Sequence, residues 1–353
     1  MGPSSPIVVG ILYPPEWYGS EQGFASEVAA LEAVDPRIEV VVATYEEPHG
    51  VRTARGTGTD PSALFRPRAI APATLAALER VHVVLAIDIP ADISSIAPEL
   101  AWVQAVGAGT SHLQAAGLAD AGIRLTSNGG SSSVAIAEFA FGRLIEERKR
   151  FRELAAVQQE RRWEPLYGTQ LAGQTIGLIG FGPINRAVAV RAAAFGMRVL
   201  ATRRTVDAPA EPPIERFFSS DGLHEMLGRC DALIAAAPET PETIGLFGAA
   251  AFASMRPGAF FANVGRGSLV DQDALIAALR SGQVGAAALD VASVEPLPSD
   301  DPLWDAPNLQ ISGHCSSSPP AMFPNVHRVL RENLRRFIDR APLHYEVSLD
   351  RGY

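Results

Sequence analysis

Lysine is almost missing from this chain: Lys149, inside the charged run Glu147 to Phe151, is the only one in 353 residues. Schiff-base or lysine-anchored cofactor chemistry would have to rest on that one residue in a charged, solvated helix face, so that class is set aside. Cysteine is nearly as scarce. Cys230 and Cys315 cannot build a disulfide framework, and neither lies in a Cys-x-x-Cys or a Cys/His cluster with metal-ligand spacing. His224-Glu225 is no zinc motif either, because Gly228 occupies the second ligand position. The N-terminal MGPSSPIVVGILY lacks a positive leader, its apolar run is too short to span a bilayer, and Pro6 stands where a myristoylation signal needs Ser or Thr. Excess positive charge is missing as well: the net charge is −9 and the pI is near 5.3. With no long basic stripe to offset it, that balance argues against nucleic-acid or anionic-membrane partners. The expectation is a cytoplasmic protein in a reducing compartment, without nucleic acid, membrane or structural metal.

What is present is core-forming material, with 47% hydrophobic and 20% charged residues over a length that allows two domains. Its organising stretch is Thr175 to Arg186, TIGLIGFGPINR. Thr175 to Ile179 has the apolar, β-branched character of a buried parallel strand, Gly180-Phe-Gly182 permits a tight turn with close backbone approach, and Pro183 suits a first helical turn. A pyrophosphate fits such a helix N-terminus, because exposed N–H groups and the helix dipole both favour an anion. Taken alone, the motif also reads as an ordinary strand-to-helix loop, since Asn185 replaces the usual third glycine. About 20 residues beyond the glycines, where NAD-selective sites place an acidic residue, the chain reads Thr202-Arg203-Arg204-Thr205. Guanidinium groups there favour a 2′-phosphate, so NADP(H) is preferred over NAD(H), which stays possible.

Before this stretch, strands are expected at Ile7 to Leu12, Arg37 to Ala43 and Val81 to Ile89, with helices at Phe24 to Val34 and from Leu75. Tyr45 to Ala71 lacks periodicity and is longer than most connections; a lid, a contact arm and a mobile linker are all open readings. WVQAVGAGTSH (Trp102 to His112) and IRLTSNGG (Ile123 to Gly130) read as strands ending in small residues. Backbone N–H groups around Gly107-Ala108-Gly109 form either a nest for a carboxylate or a plain turn. A long amphipathic helical region is expected from Val134 to about Trp163. After the cradle come a helix from Ile184 to Phe195 stopped by Gly196, strands at Arg198 to Ala201, Ala232 to Ala236, Ala259 to Val264, Gly285 to Val291 and Leu309 to Ser312, and short helices at Leu223 to Leu227 and Ala274 to Arg280. Arg266, Glu295 and His314 each follow the carboxyl end of a predicted strand, the edge at which open parallel sheets hold ligands. His49, His82, His112, His224, His327 and His344 lack that context.

GFGPI, NVGRGSLVD (Asn263 to Asp271), ALDV (Ala288 to Val291), EPLP (Glu295 to Pro298), DPLW (Asp301 to Trp304) and Gly313-His314, in that order and spacing, resemble the D-isomer-specific 2-hydroxyacid dehydrogenases. AWVQAVGAGTSHL and the closing ENLRRFIDRAPLHYEVSLDRGY look most like the glyoxylate/hydroxypyruvate reductase branch, whereas residues 1 to 95 match weakly. The resemblance implies that Arg266 holds the carboxylate and carbonyl of a small 2-oxo acid, that His314 is the acid/base, and that Glu295 pairs with it and fixes its tautomer. Backbone N–H groups of Ala108 and Gly109 would take the substrate carboxylate, and Asp290 the nicotinamide carboxamide. The full cofactor set is Gly180, Gly182, Pro183, Ile184, Arg203, Arg204, Thr205, Pro238, Thr243, Val264 and Asp290.

The fold expected is α/β, with two Rossmann-like doubly wound parallel-sheet domains and a cleft between them. Residues 1–135 with 315–353 would form a discontinuous, flavodoxin-like substrate domain, and 136–314 the dinucleotide-binding domain. Two departures from the resemblance stand out: Asn185 is expected to displace the cradle helix slightly, and Cys315-Ser-Ser-Ser318 to make the pocket more polar. Family likeness and the long helix after Val134 imply a homodimer. The alternatives are a dinucleotide-sensing interaction protein of the corepressor kind on the same fold, and a family member acting on formate, phosphite or a sugar-acid phosphate.

Overall fold

The computed structural model describes residues 5–349 except 19, 57, 59–68, 205, 207–209 and 211. The chain divides into two units, Met1–Ser131 with Ser318–Tyr353, and Ser132–Ser317.

In the first unit β1 (Ile7–Ile11), α1 (Glu21–Glu32), β2 (Ile38–Val42), α2 (His49–Gly56), α3 (Pro72–Leu78), β3 (Val83–Ala86), α4 (Ile93–Ile96), β4 (Trp102–Ala105), α5 (Ser111–Gln114) and β5 (Arg124–Thr126) follow one another. Their strands pair in parallel in the order β2-β1-β3-β4-β5, the flavodoxin-like arrangement. Successive strand residues serve opposite faces. Ile7, Val9, Ile11, Val83 and Leu85 enter one core while Val8, Val84, Ala86 and Val103 enter the other. Burial on both faces is why these strands are apolar without alternation.

The second unit runs α6 (Ser133–Lys149), α7 (Phe151–Gln159), β6 (Thr175–Ile179), α8 (Pro183–Ala194), β7 (Arg198–Thr202), β8 (Ile214–Phe218), α9 (Leu223–Leu227), β9 (Ala232–Ala235), α10 (Ala249–Ser254), β10 (Ala259–Asn263), α11 (Gln272–Ser281), β11 (Val284–Leu289) and β12 (Leu309–Ile311). Its seven parallel strands lie in the order β12-β11-β10-β9-β6-β7-β8. The six strands β6 to β11 reproduce the doubly wound dinucleotide-binding order, β12 extends it, and the direction of winding reverses between β6 and β9. Both units are therefore Rossmann-like parallel-sheet folds.

The last helix, α12 (Pro319–Ile338), belongs to the first unit. A buried polar ladder fastens it there: Trp102 Nε1 donates to Thr126 Oγ1 (2.8 Å), Thr126 Oγ1 to Gln104 Oε1 (2.9 Å), and Asn333 Nδ2 to the same Oε1 (3.1 Å). His344 N closes it on Asn333 Oδ1 at 2.7 Å.

Four local expectations change. The long helical region breaks at Arg150, whose φ of 58° ends α6 in a left-handed residue, and α7 stops at Gln159, so Trp163 lies outside it. Strand β8 was not foreseen; nor was α10. The stretch from Tyr45 holds helix α2, fastened by Arg52 to the buried Asp88 carboxylate (2.7 and 2.6 Å) and by Arg55 to Glu47 (2.5 Å) and the Ile89 carbonyl (2.8 Å). Its remaining part at 57 and 59–68 falls outside the described residues.

The first unit also buries a titratable group. His327, on α12, is wholly buried, with Nε2 2.5 Å from the Tyr13 hydroxyl and Nδ1 3.8 Å from Glu27. Burial lowers its pKa from the ordinary 6.5 to about 4; Glu27 opposes the shift and Arg331 adds to it. The unfolded chain therefore takes up a proton that the native chain refuses, so stability is full above the ordinary histidine value and falls as pH drops towards the native one. The loss amounts to roughly 3 kcal/mol once the window is crossed. In urea titrations at about pH 7 and about pH 5, His327→Gln should lose less stability than the parent; equal losses would show that His327 does not carry the slope.

Candidate active site

The sequence places a sharp turn after β6, and the structure shows why glycine is needed there. Gly180 has a φ of +78°, and a Cβ would meet the Ala237 backbone at 2.8 Å. Gly182 caps α8 with no side-chain bond to the first turn, and Pro183 opens the helix. The Ile184 and Asn185 N–H groups thus belong to a twelve-residue helix with no side-chain cap hydrogen bond at its N-terminus, and a Cβ on Gly182 would meet nothing within 4 Å. An anion of phosphate size suits that cradle.

The cradle is tied to the end of β7. Gly180 N donates to Thr202 Oγ1 at 3.0 Å, and Arg203 N donates to the Phe218 carbonyl at 3.0 Å. The Arg203 guanidinium lies 4.6 Å from the centroid of the Phe217 ring, Phe217 meets Phe181 of the cradle edge-on at 5.0 Å, and Arg186 covers the Phe181 ring at 4.7 Å. Arg204 is exposed, and Thr205 falls outside the described residues. Beyond β9, Thr243 Oγ1 donates to the Pro238 carbonyl at 2.7 Å, while Val264 follows β10 with its N–H on the Ala235 carbonyl at 2.9 Å.

After β10 the chain makes the turn that carries Arg266. Buried Asn263 governs it, taking Gly265 N on Oδ1 (3.0 Å) and donating from Nδ2 to the Arg266 carbonyl (2.7 Å). Gly267 must be glycine because a Cβ would run into the Ala292 carbonyl, which presses this turn against the segment leading to Glu295. Burial lowers the Arg266 pKa, and the nearby Glu239 and Glu295 carboxylates oppose the shift. A guanidinium keeps its proton under such a shift, so Arg266 is a fixed cation with few water contacts.

His314 follows β12 in a left-handed conformation, φ +53°, which is costly for a residue with a side chain. Asp290, just past β11, holds it there. Its Oδ1 accepts from Ser312 Oγ (2.7 Å) and Cys315 N (3.0 Å), its Oδ2 accepts from Ser316 N (3.1 Å), and its carbonyl accepts from His314 N (2.8 Å). So placed, His314 Nδ1 lies 2.8 Å from Glu295 Oε2, and Glu295 Oε1 accepts from Ala292 N at 3.0 Å. The histidine side chain is 49% exposed and the glutamate 18%. Such a pair holds one ring nitrogen and leaves Nε2 to exchange a proton with a bound molecule.

Arg266, Glu295 and His314 therefore come together within one unit through contacts among their own loops. Ala108 and Gly109 sit in the other unit after β4, with Asn128 N donating to the Gly107 carbonyl at 2.8 Å.

A sequence profile described as "D-isomer specific 2-hydroxyacid dehydrogenase, NAD binding domain" matches residues 141–316. The glyoxylate reductase of Korarchaeum cryptofilum is 31% identical over 257 residues, which cover 70% of this chain and 76% of that protein. The chain belongs to the D-isomer-specific 2-hydroxyacid dehydrogenases. Another member, the D-3-phosphoglycerate dehydrogenase of Mycobacterium leprae, is 33% identical over 235 residues, 66% of this chain, and the chain spans only 44% of its length. Among solved structures, a D-isomer-specific 2-hydroxyacid dehydrogenase from Xanthobacter autotrophicus in complex with NADPH and MES superposes with a TM-score of 0.76 at 27% identity. The match covers 99% of this chain and all of that one. As a member of this family the chain takes a nicotinamide dinucleotide, NAD(P)(H).

Sequence reasoning quoted Asn263 and named Asp290, but it did not find the clamps they form. Neither did it find Ser312 or the aromatic support of Arg203, because these are contacts between loops far apart in the chain. The Asp290 clamp is the testable one. Asp290→Asn keeps the shape but turns an amide N–H towards Ser316 N and removes the charge from all three bonds. It should destabilise the protein by about 1–3 kcal/mol in urea unfolding; an unchanged midpoint would show that the loop holds His314 without it.

Proposed function

We propose that the chain reduces a small 2-oxo acid of the glyoxylate or hydroxypyruvate kind to the D-2-hydroxy acid, with NADP(H) preferred. The observation that carries this reading is the His314–Glu295 pair at 2.8 Å beside the partly buried cation of Arg266. The likeness to a protein named glyoxylate reductase supports the substrate class.

When bound, the nicotinamide supplies the hydrogen and the two electrons of the reduction. Arg266 orients the substrate carboxylate and opposes the negative charge that grows on the carbonyl oxygen, at little reorganisation cost because its turn is already clamped. Glu295 holds His314 Nδ1 and fixes the ring tautomer. His314 Nε2 delivers the proton to that oxygen and takes it back in the reverse direction. Ala108 and Gly109 N–H groups, Pro238, Thr243, Val264 and Asp290 keep the substrate- and cofactor-binding roles expected of them. For the cofactor choice, the support is Arg203 at the end of β7, its guanidinium 4.6 Å from the centroid of the Phe217 ring, with Arg204 next to it. The Xanthobacter structure with NADPH is consistent with that preference.

The oligomer we propose is a homodimer. Phe151 (51% exposed), Trp163 (103%) and Tyr167 (84%) on α7 and the segment after it offer the apolar surface a second copy would cover. The free cysteines, Cys230 and Cys315, fit a cytoplasmic location.

NADPH and NADH oxidation with glyoxylate and hydroxypyruvate tests the reaction. His314→Ala should lower kcat roughly a hundredfold or more, and Arg203→Asp should shift preference towards NADH by about tenfold. Tight cofactor binding without turnover of either acid would favour a sensor or another substrate. Light scattering should give twice the chain mass, with Trp163→Ser/Tyr167→Ser shifted towards monomer; a monomeric parent would end the dimer proposal.

A further inference from the structure

The doubly wound cradle commonly uses a third glycine so that helix and strand can pack closely. This chain has Asn185 there, wholly buried in the first turn of α8. Its Nδ2 faces three main-chain oxygens: Gly180 at 2.7 Å, Ile179 at 3.0 Å and Ile234 at 3.4 Å. That crowd of acceptors settles which end of the amide is nitrogen, since an oxygen in the same place would be repelled. The acceptors are the last residue of β6, the first glycine of the turn, and a residue of β9 on the far side of the switch point. The opposite end of the amide, Oδ1, is buried without a donor. A glycine would carry no such cost.

The geometry has a direct effect on the turn. Gly180 N is held by Thr202 Oγ1 and Gly180 O by Asn185 Nδ2, so side chains fix the peptide planes on both sides of this left-handed residue. In a trans peptide the N–H points opposite to its carbonyl. With the Gly180 carbonyl drawn to Asn185, the Phe181 N–H points the opposite way, and the N–H groups at the start of α8, which have no side-chain cap, follow directly in the chain.

We infer that Asn185 is a positioning residue of the phosphate cradle, pinning the Ile179 and Gly180 carbonyls so that the turn presents its amides to the diphosphate of the cofactor. It touches no reacting atom and acts through the backbone of the turn. This inference rests on the dinucleotide reading of the cradle.

The test is calorimetric binding to the purified full chain. ADP-ribose carries the diphosphate and adenosine does not; each is used with and without a 2′-phosphate. Asn185→Gly, which restores the common motif, and Asn185→Ala should bind the ADP-ribose ligand about tenfold more weakly than the parent. Affinity for the matching adenosine ligand should stay unchanged, and Asn185→Ser, which keeps one short donor, should recover part of the loss. Melting curves accompany each variant. If Asn185→Gly binds ADP-ribose as tightly as the parent, the inference fails and the cradle stands. If a variant loses its fold, or loses both ligands equally, Asn185 is merely structural and the inference fails again. A parent that binds neither ADP-ribose ligand would instead overturn the dinucleotide reading beneath it.

Discussion

A parallel sheet covered on both faces has little free surface except at the ends of its strands, and that constraint decides where everything else in this protein is placed. Both sheets bury alternate residues in separate cores, so side chains within the strands are committed to packing. Chemistry must come from the loops, and the described residues of the second unit proposed to react or bind follow the carboxyl ends of its strands. The same constraint explains the glycines. Where two such loops cross, as at Gly267 against Ala292, the backbones touch and no Cβ fits.

Loops are the least constrained part of a fold, so a site built from them needs fasteners. Here those are buried polar side chains bonded to main chain: Asn263 holds the turn of Arg266, Asp290 the loop of His314, and Asn185 the turn of Gly180. Each is buried, where a hydrogen bond is electrostatically strong and an unmade one is costly. The strained backbone of His314 is tolerable because four hydrogen bonds from its own loop to Asp290 determine it.

Much of this was legible in the sequence because the signals are local. Strand β6 was expected at Thr175 to Ile179 and lies there; Gly196 stops α8 with a φ of +72°; and the helix expected at Ala274 to Arg280 lies within α11, where Asp271 accepts from Ala274 N. What escaped was set by distant partners. Strand β8, Ile214–Phe218, is an edge strand that carries Glu215 and Arg216 outward, after a proline-rich stretch, so its pattern is weak. Helix α2 has few apolar residues and is held by the Arg52–Asp88 and Arg55–Glu47 pairs, which no spacing rule reveals. The break at Arg150 carries no proline or glycine to announce it.

The strand missed from sequence turns out to bear on the cofactor question. Phe217 projects from β8 between Phe181 of the cradle and Arg203 at the end of β7. A flexible arginine beside a ribose would give up much side-chain freedom on meeting a phosphate, and that cost weakens selectivity. With its guanidinium 4.6 Å from the centroid of a ring that is itself packed against another, Arg203 has lost part of that freedom already. For the proposed 2′-phosphate contact of Arg203 this adds a physical argument beyond charge: the edge strand supplies the ring beside the cation, and one aromatic stack joins the turn after β6 to the end of β7.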